Sequence, residues 1–215
     1  NNLTGQYNVG IGNQALLNNT AGNYVTAIGA KSLQANTTGS GNTAVGTNAM
    51  ESNTTGASNT VMGWNALVTN TTGSNNLAMG VNTMFYNTTG YKNVALGDYG
   101  LWSNTEGMEN VAISGNSSLY KNTTGKQNVA IGALSLYNNE TGNYNIAIGR
   151  SSLYSNTASN NVGIGHESLR SNTTGNNNTA SGYRGLYSNT TGSNNTATGS
   201  VSLASNTTGN KNTAT

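Results

Sequence analysis

His166 is the only histidine in 215 residues, and the acidic residues number six. General acid–base work near neutral pH needs such groups set within hydrogen-bond reach of a partner that tunes them. Glu51, Asp98, Glu140 and Glu167 have no acidic partner recurring at a fixed spacing. No paired-carboxylate, Cys/His or Ser/His/acid arrangement assembles from these positions, so no catalytic residue is named and an enzyme is not expected. The chain has no cysteine, hence no thiolate metal site and no disulfide framework. No metal site and no cofactor are expected. Gly10-Ile11-Gly12 and Gly163-Ile164-Gly165 have Gly-x-Gly spacing, but they stand where other stretches read Ala-x-Gly. They read as variants of that stretch rather than as phosphate loops.

Three other residue classes recur at regular spacing. Phe85, Trp102, Tyr120, Tyr137 and Tyr154 fall at one repeated position. A row of rings can stack sugar rings, or it can pack on itself and on a second chain, so this column is a candidate for ligand or inter-chain contact. Asn accounts for 41 residues and recurs at two positions. One column contains Asn42, Asn59, Asn76, Asn93, Asn110 and Asn128; the other contains Asn53, Asn70, Asn87, Asn104, Asn122 and Asn139. Neutral amides stacked at strand spacing can donate and accept along a column, whereas charges there would repel. Leu67, Leu101, Leu119, Leu136, Leu153 and Leu169 form a further column, read as core.

All these columns have one source. The chain is a tandem array with the consensus N-[TV]-A-[IVM]-G-x-x-[SA]-L-x-x-N-T-T-G-x-x, a 17-residue unit repeated about twelve times over residues 1–215 as a single domain. Two units depart from that length. An extra residue between Asn110 and Gly115 is expected as a bulge at Ile113-Ser114, and one residue is missing near Ser159-Asn160. The array begins in mid-unit at Asn1 and stops in mid-unit at Thr215, which reads as an excerpt of a longer fibre.

Two glycines and an Asn-Thr-Thr turn per unit exclude a continuous helix. The apolar stretches are short and bounded by turn residues, as strands are. Val129-Ala130-Ile131 exemplifies a first strand, and Ser135-Leu136-Tyr137 and Ser152-Leu153-Tyr154 a second. A single unit, expected to bury three aliphatic side chains, gains too little to offset the entropy of ordering its backbone. Units must therefore stack, with like residues over one another about 4.8 Å apart. The fold class is all-β, a parallel β-solenoid. Within the first strand, Ala27, Ala44, Ala95 and Ala130 face one way, and Ile28, Val45, Leu96 and Ile131 the other. Which of the two lines the interior stays open at this level.

Charged residues make up 7% of the chain, against roughly 25% in ordinary globular proteins. A net charge of +2 is too small for a phosphate-binding footprint, so nucleic acid is not an expected partner. No apolar run approaches the roughly 20 residues that span a bilayer, so membrane insertion is not expected. Asn-x-Ser/Thr sequons recur at Asn53, Asn70 and Asn122, but neighbours about 5 Å apart leave no room for a glycan on every unit.

With Asn128-Val129-Ala130-Ile131-Gly132 followed by Ser135-Leu136, the unit resembles the head repeats of YadA-like trimeric autotransporter adhesins. Arrays of this kind are also similar to repeat shafts of phage tail fibres and bacterial surface proteins. The unit departs from the adhesin repeat in carrying an additional Asn-Thr-Thr-Gly loop. The resemblance implies a left-handed β-roll, three chains side by side, and an extracellular place on a cell or virion surface. The expected function is a non-enzymatic structural or adhesive fibre segment, associating with itself as a homotrimer or an end-to-end filament, with surface glycans or a host-cell receptor as possible ligands. The alternatives are a carbohydrate-binding module built on the Phe85–Tyr154 column, a self-stacking filament subunit, or an ice-binding protein using the loop threonines.

Overall fold

The computed structural model describes residues 3–215; Asn1 and Asn2, where the array starts in mid-unit, lie outside the described residues. The chain winds into a parallel β-solenoid of about twelve turns, and no helix occurs among the described residues. Among the described residues thirteen short strands, from β1 (Val9–Ile11) to β13 (Thr213–Ala214), form one sheet in strict sequence order. The register is that of the repeat. Between β8 (Val129–Ile131) and β9 (Ile146–Ile148), Val129 lies opposite Ile146 and Ala130 opposite Ala147.

The extra residue is not a bulge at Ile113-Ser114. β7 (Val111–Ile113) pairs residue for residue with β6 (Val94–Leu96) and with β8, and the insertion is taken up in the turn that follows, around Ser114–Asn116. A bulge in the strand would break ladders on both of its sides, whereas a turn absorbs one residue without disturbing any register. The missing residue falls in the loop. There Asn156 Nδ2 reaches the Ala158 carbonyl two residues on, instead of the glycine three residues on that its neighbours use.

The second strand does not exist. Ser135-Leu136-Tyr137 and Ser152-Leu153-Tyr154 are turns, with Leu136 at φ +49° and Leu153 at φ +53°. Along this wall the N–H groups alternate in direction. Leu153 donates to Ser168 of the next rung (2.9 Å) and Ser151 back to Ala133 of the previous one (2.9 Å), while Ser152 and Asn156 close turns onto Gly149 and Leu153 of their own rung. A strand would send every N–H sideways; here every second one turns inward. The left-handed backbone costs about 1–2 kcal/mol per leucine. Complete burial of the Leu side chain, worth about 1.5–3 kcal/mol, offsets it.

The interior is narrow. Ala points inward and is fully buried from Ala27 to Ala197, with Val61 and Gly163 in its place in two rungs, facing the buried Leu column and a column of small residues such as Ser135 and Ser152. In a typical rung, Ala and Leu are thus the main buried aliphatic side chains, not three, because the Ile/Val/Met column points outward. The Asn-Thr-Thr-Gly loop closes the coil. Thr54 N–H, Thr55 N–H, Gly56 N–H and Thr54 Oγ1 all donate to the carbonyl of Thr71 in the next rung, at 3.0–3.2 Å.

Val201, at φ +61° and 52% exposed, occupies the left-handed column that Asn48, Asn65 and Asn82 hold elsewhere. A β-branched residue is strained there and Asn tolerates it. Val201→Asn is therefore expected to stabilise by about 1 kcal/mol, read as a higher urea midpoint at unchanged slope.

Candidate functional site

Both Asn columns lie inside the coil and are used up by it. Asn70 Nδ2 donates to Asn53 Oδ1 (2.7 Å) and to the Gly73 carbonyl (2.9 Å), and Asn70 Oδ1 accepts from Asn87 Nδ2 (2.8 Å). In the other column Asn59 donates both its backbone N–H (3.0 Å) and Nδ2 (3.1 Å) to Asn42 Oδ1 and spans to Gly73 (2.9 Å). The ladders run on through Asn76, Asn93, Asn110 and Asn128, and through Asn104, Asn122 and Asn139. Val25 interrupts the first column, and its N–H still bonds Asn8 Oδ1 at 2.9 Å. A third, short ladder, Asn48–Asn65–Asn82, runs along the turn wall at 2.9 and 3.3 Å. Sequence reasoning missed it because only three rungs carry Asn there. Buried and satisfied amides are scaffold, and they offer nothing to a ligand.

The aromatic column is half-buried on the turn wall and stacks on itself. Trp102 and Tyr120 lie 5.0 Å apart and 7° from parallel, Tyr120 and Tyr137 5.1 Å and 2°, Tyr137 and Tyr154 5.3 Å and 9°. Phe85 is tilted 32° to Trp102 at 6.3 Å, and Tyr86 meets Trp102 edge-on at 4.7 Å. Burial, and then the neighbouring Tyr137, push the Tyr120 phenol above its ordinary value. Ring faces between Trp102 and Tyr154 are taken by one another, so a sugar could meet only their edges.

The ladder ends in charge. Arg170 occupies the next place in the column, its guanidinium 5.4 Å from the Tyr154 ring and 6.0 Å from Tyr187. Arg184 lies 5.1 Å from both Tyr183 and Tyr187 and donates from Nε to Glu167 Oε2 at 2.7 Å. That hydrogen bond holds the Glu167 carboxyl below its ordinary value and raises the Arg184 guanidinium. His166 stacks on Tyr183 at 5.7 Å. The sequence placed His166 and Glu167 side by side but did not reveal Arg170 and Arg184 around them; a 17-residue overlay of the sequence would have done so.

The outer face of the sheet is the third feature. From β5 (Leu77–Met79) to β10 (Val162–Ile164) the two outward residues of every strand are aliphatic or Met, as in Val94/Leu96 and Ile146/Ile148. No strand residue among the described residues is charged. The stripe turns polar at Thr179/Ser181 and Thr196/Thr198. A shallow groove of ≈ 590 Å³ runs along the loops between Thr89, Tyr91, Glu106, Thr124, Lys126 and Tyr144. Its exposed threonine row is broken by Glu106 and by Ala158, so it lacks the regularity a lattice-matching surface needs. Among the described residues no cluster of three His, Cys, Asp or Glu side chains could hold a metal ion.

Comparison with models of known protein families and with curated proteins finds no match to this chain.

Proposed function

We propose that the chain is a non-enzymatic structural segment of an extracellular fibre, a stiff rod that associates with copies of itself through the outer face of its sheet. The observation that carries this reading is the apolar stripe between β5 and β10, about 25 Å long at a rung spacing of about 4.8 Å. A solvated parallel sheet face is uncommon, and contiguous apolar surface of this kind marks an interface. A copy of the same chain is the favoured occupant because its rungs have the same pitch. Side chains that interdigitate at one rung then interdigitate at all, and the uncharged face imposes no repulsion. The resemblance to trimeric adhesin heads sets the expected number of copies at three.

Light scattering on the purified chain tests this. The expected mass is three times 22.0 kDa. Ile148 and Ile164 are 36% and 40% exposed, so changing both to Lys leaves the coil intact and is expected to lower the mass to one chain with an unchanged far-UV circular dichroism spectrum, while the melt falls by what association contributed. A single-chain mass for the unmodified protein at micromolar concentration sinks the proposal.

A further inference from the structure

We infer that the turn wall around Arg170 and Arg184 is a binding site for the oxyanion group of an acidic saccharide. The site lies on a different wall from the sheet face proposed for self-association and does not depend on it. The three arginines of the chain, Arg150, Arg170 and Arg184, and its one histidine fall in three consecutive rungs. Arg150 precedes His166 by one rung in the same column and is exposed, and its carbonyl accepts the Glu167 N–H at 3.0 Å. Against the three arginines stands one carboxylate. Glu167 bonds Arg184, whereas Arg170 Nε at 3.6 Å and His166 Nδ1 at 3.9 Å, both buried atoms, are too far to hydrogen-bond it and have no other hydrogen-bond partner. The wall therefore carries an excess of positive charge in a chain otherwise nearly free of it. Elsewhere on this side Glu51 pairs with Lys31 at 3.5 Å, Asp98 accepts the Val81 N–H at 2.9 Å, and Lys121 lies 5.8 Å from the Tyr137 ring.

The two guanidinium planes are held by tyrosine rings, which fixes their orientation while leaving the side chains 38% and 44% exposed. A guanidinium edge is a rigid fork of donors that fits a carboxylate or sulfate at two points, and stacking it in advance removes much of the ordering cost. The saccharide part of the assignment comes from the ladder's end. Every ring from Tyr120 to Tyr137 has a ring on both faces, but the rung after Tyr183 and Tyr187 places only Ser200 and Ala204 in their columns. Tyr183 is 46% exposed. A sugar ring can rest in that step while its acidic group meets the arginines.

Calorimetric titration of the full chain decides the matter, with four probes: a uronic-acid oligosaccharide, its carboxyl-reduced neutral counterpart, a sulfated oligosaccharide, and sodium sulfate alone. Binding of the uronic or the sulfated oligosaccharide is expected, and which of them binds identifies the oxyanion. The neutral counterpart and free sulfate should each bind at least about tenfold more weakly, as should the Arg170→Gln/Arg184→Gln variant, since each loses a charge-assisted contact or the ring contact. Arg→Lys at both positions should recover only part, because it restores charge but not the stacked fork. If the double variant melts early, Arg150→Gln and Tyr183→Ala, both at exposed positions, replace it and should each weaken binding. The inference is overturned if neither acidic oligosaccharide binds at millimolar concentration, if the neutral sugar or sodium sulfate binds equally well, or if binding survives these substitutions unchanged. A single-chain mass in light scattering would overturn self-association and leave this site standing.

Discussion

Asn70→Asp is expected to destabilise the rod by about 3–5 kcal/mol, the scale of an uncompensated buried charge. Asn70 is fully buried in mid-array, and both of its neighbours on the Nδ2 side, Asn53 Oδ1 and the Gly73 carbonyl, are acceptors. An aspartate there sets oxygen against oxygen twice. Asn70→Ala should cost less, about 1–3 kcal/mol, because it strands Asn53 Oδ1 without adding charge. Asn87 Nδ2 keeps Gly90, and the Gly73 carbonyl keeps Asn59.

The pH dependence of the Asp variant has a definite sign. The site favours the neutral acid, which can donate one hydrogen bond, so the folded-state pKa lies above the unfolded value of about 3.9. The contribution of the neutral form is complete below that unfolded value and is lost as pH rises through the folded one. The variant should therefore be closest to the parent near pH 3 and furthest from it at pH 7. Because stability in a stacked repeat is a sum over neighbouring interfaces, the loss should appear in hydrogen exchange as deprotection centred on residues 53–90. An Asp variant that melts like the parent at pH 7 would mean that this column is not a closed ladder.

Gly73→Ala comes next, at about 3 kcal/mol, the upper end of overpacking costs. A methyl group at residue 73 would sit inside contact distance of Asn70 Oδ1, the Gly90 carbonyl oxygen and Asn87 Nδ2. One of these is backbone and the others are locked in the ladder, so none can give way. Two other glycines serve as controls. Around Gly115 nothing lies within 4 Å of an added methyl, and Gly100, whose nearest neighbour would be 3.5 Å away, sits where other rungs carry Ala49 or Ala66. Gly115→Ala and Gly100→Ala should be neutral or stabilising by up to about 1 kcal/mol. Thermal melts of the three variants side by side check this. Equal effects at all three positions would refute the argument from close approach.

The charge cluster has its own pH signature. Glu167 is held below its ordinary value by Arg184, so what it contributes is present above the unfolded carboxylate range and is lost as pH falls through the folded value. The Arg184 side chain of the pair is 44% exposed, so solvent screens it and the effect on stability is small.

Much of this architecture was legible in the residue order, for a physical reason. A unit too small to fold alone must borrow its neighbours' surface, and exact periodicity then dictates that like residues lie over like. The parallel register, the buried Leu column from Leu67 to Leu169 and the stacking of Asn on Asn all follow from that one constraint. What periodicity does not carry is volume and chirality. Hydrophobicity alone would put Ile131 or Ile148 inside and the smaller Ala130 or Ala147 outside. The coil is too narrow for that, because the opposite wall already fills the interior with Leu and Asn. Nor does residue type announce that Leu136 and Leu153 take a left-handed backbone, which leucine disfavours. The demand comes from the alternation of turn bonds and inter-rung bonds that closes the loop, and it overrides propensity. The convergence of Arg170, Arg184 and Glu167, like the mutual covering of the rings from Trp102 to Tyr154, depends on which side chains of adjacent rungs point together, and only the wound chain decides that.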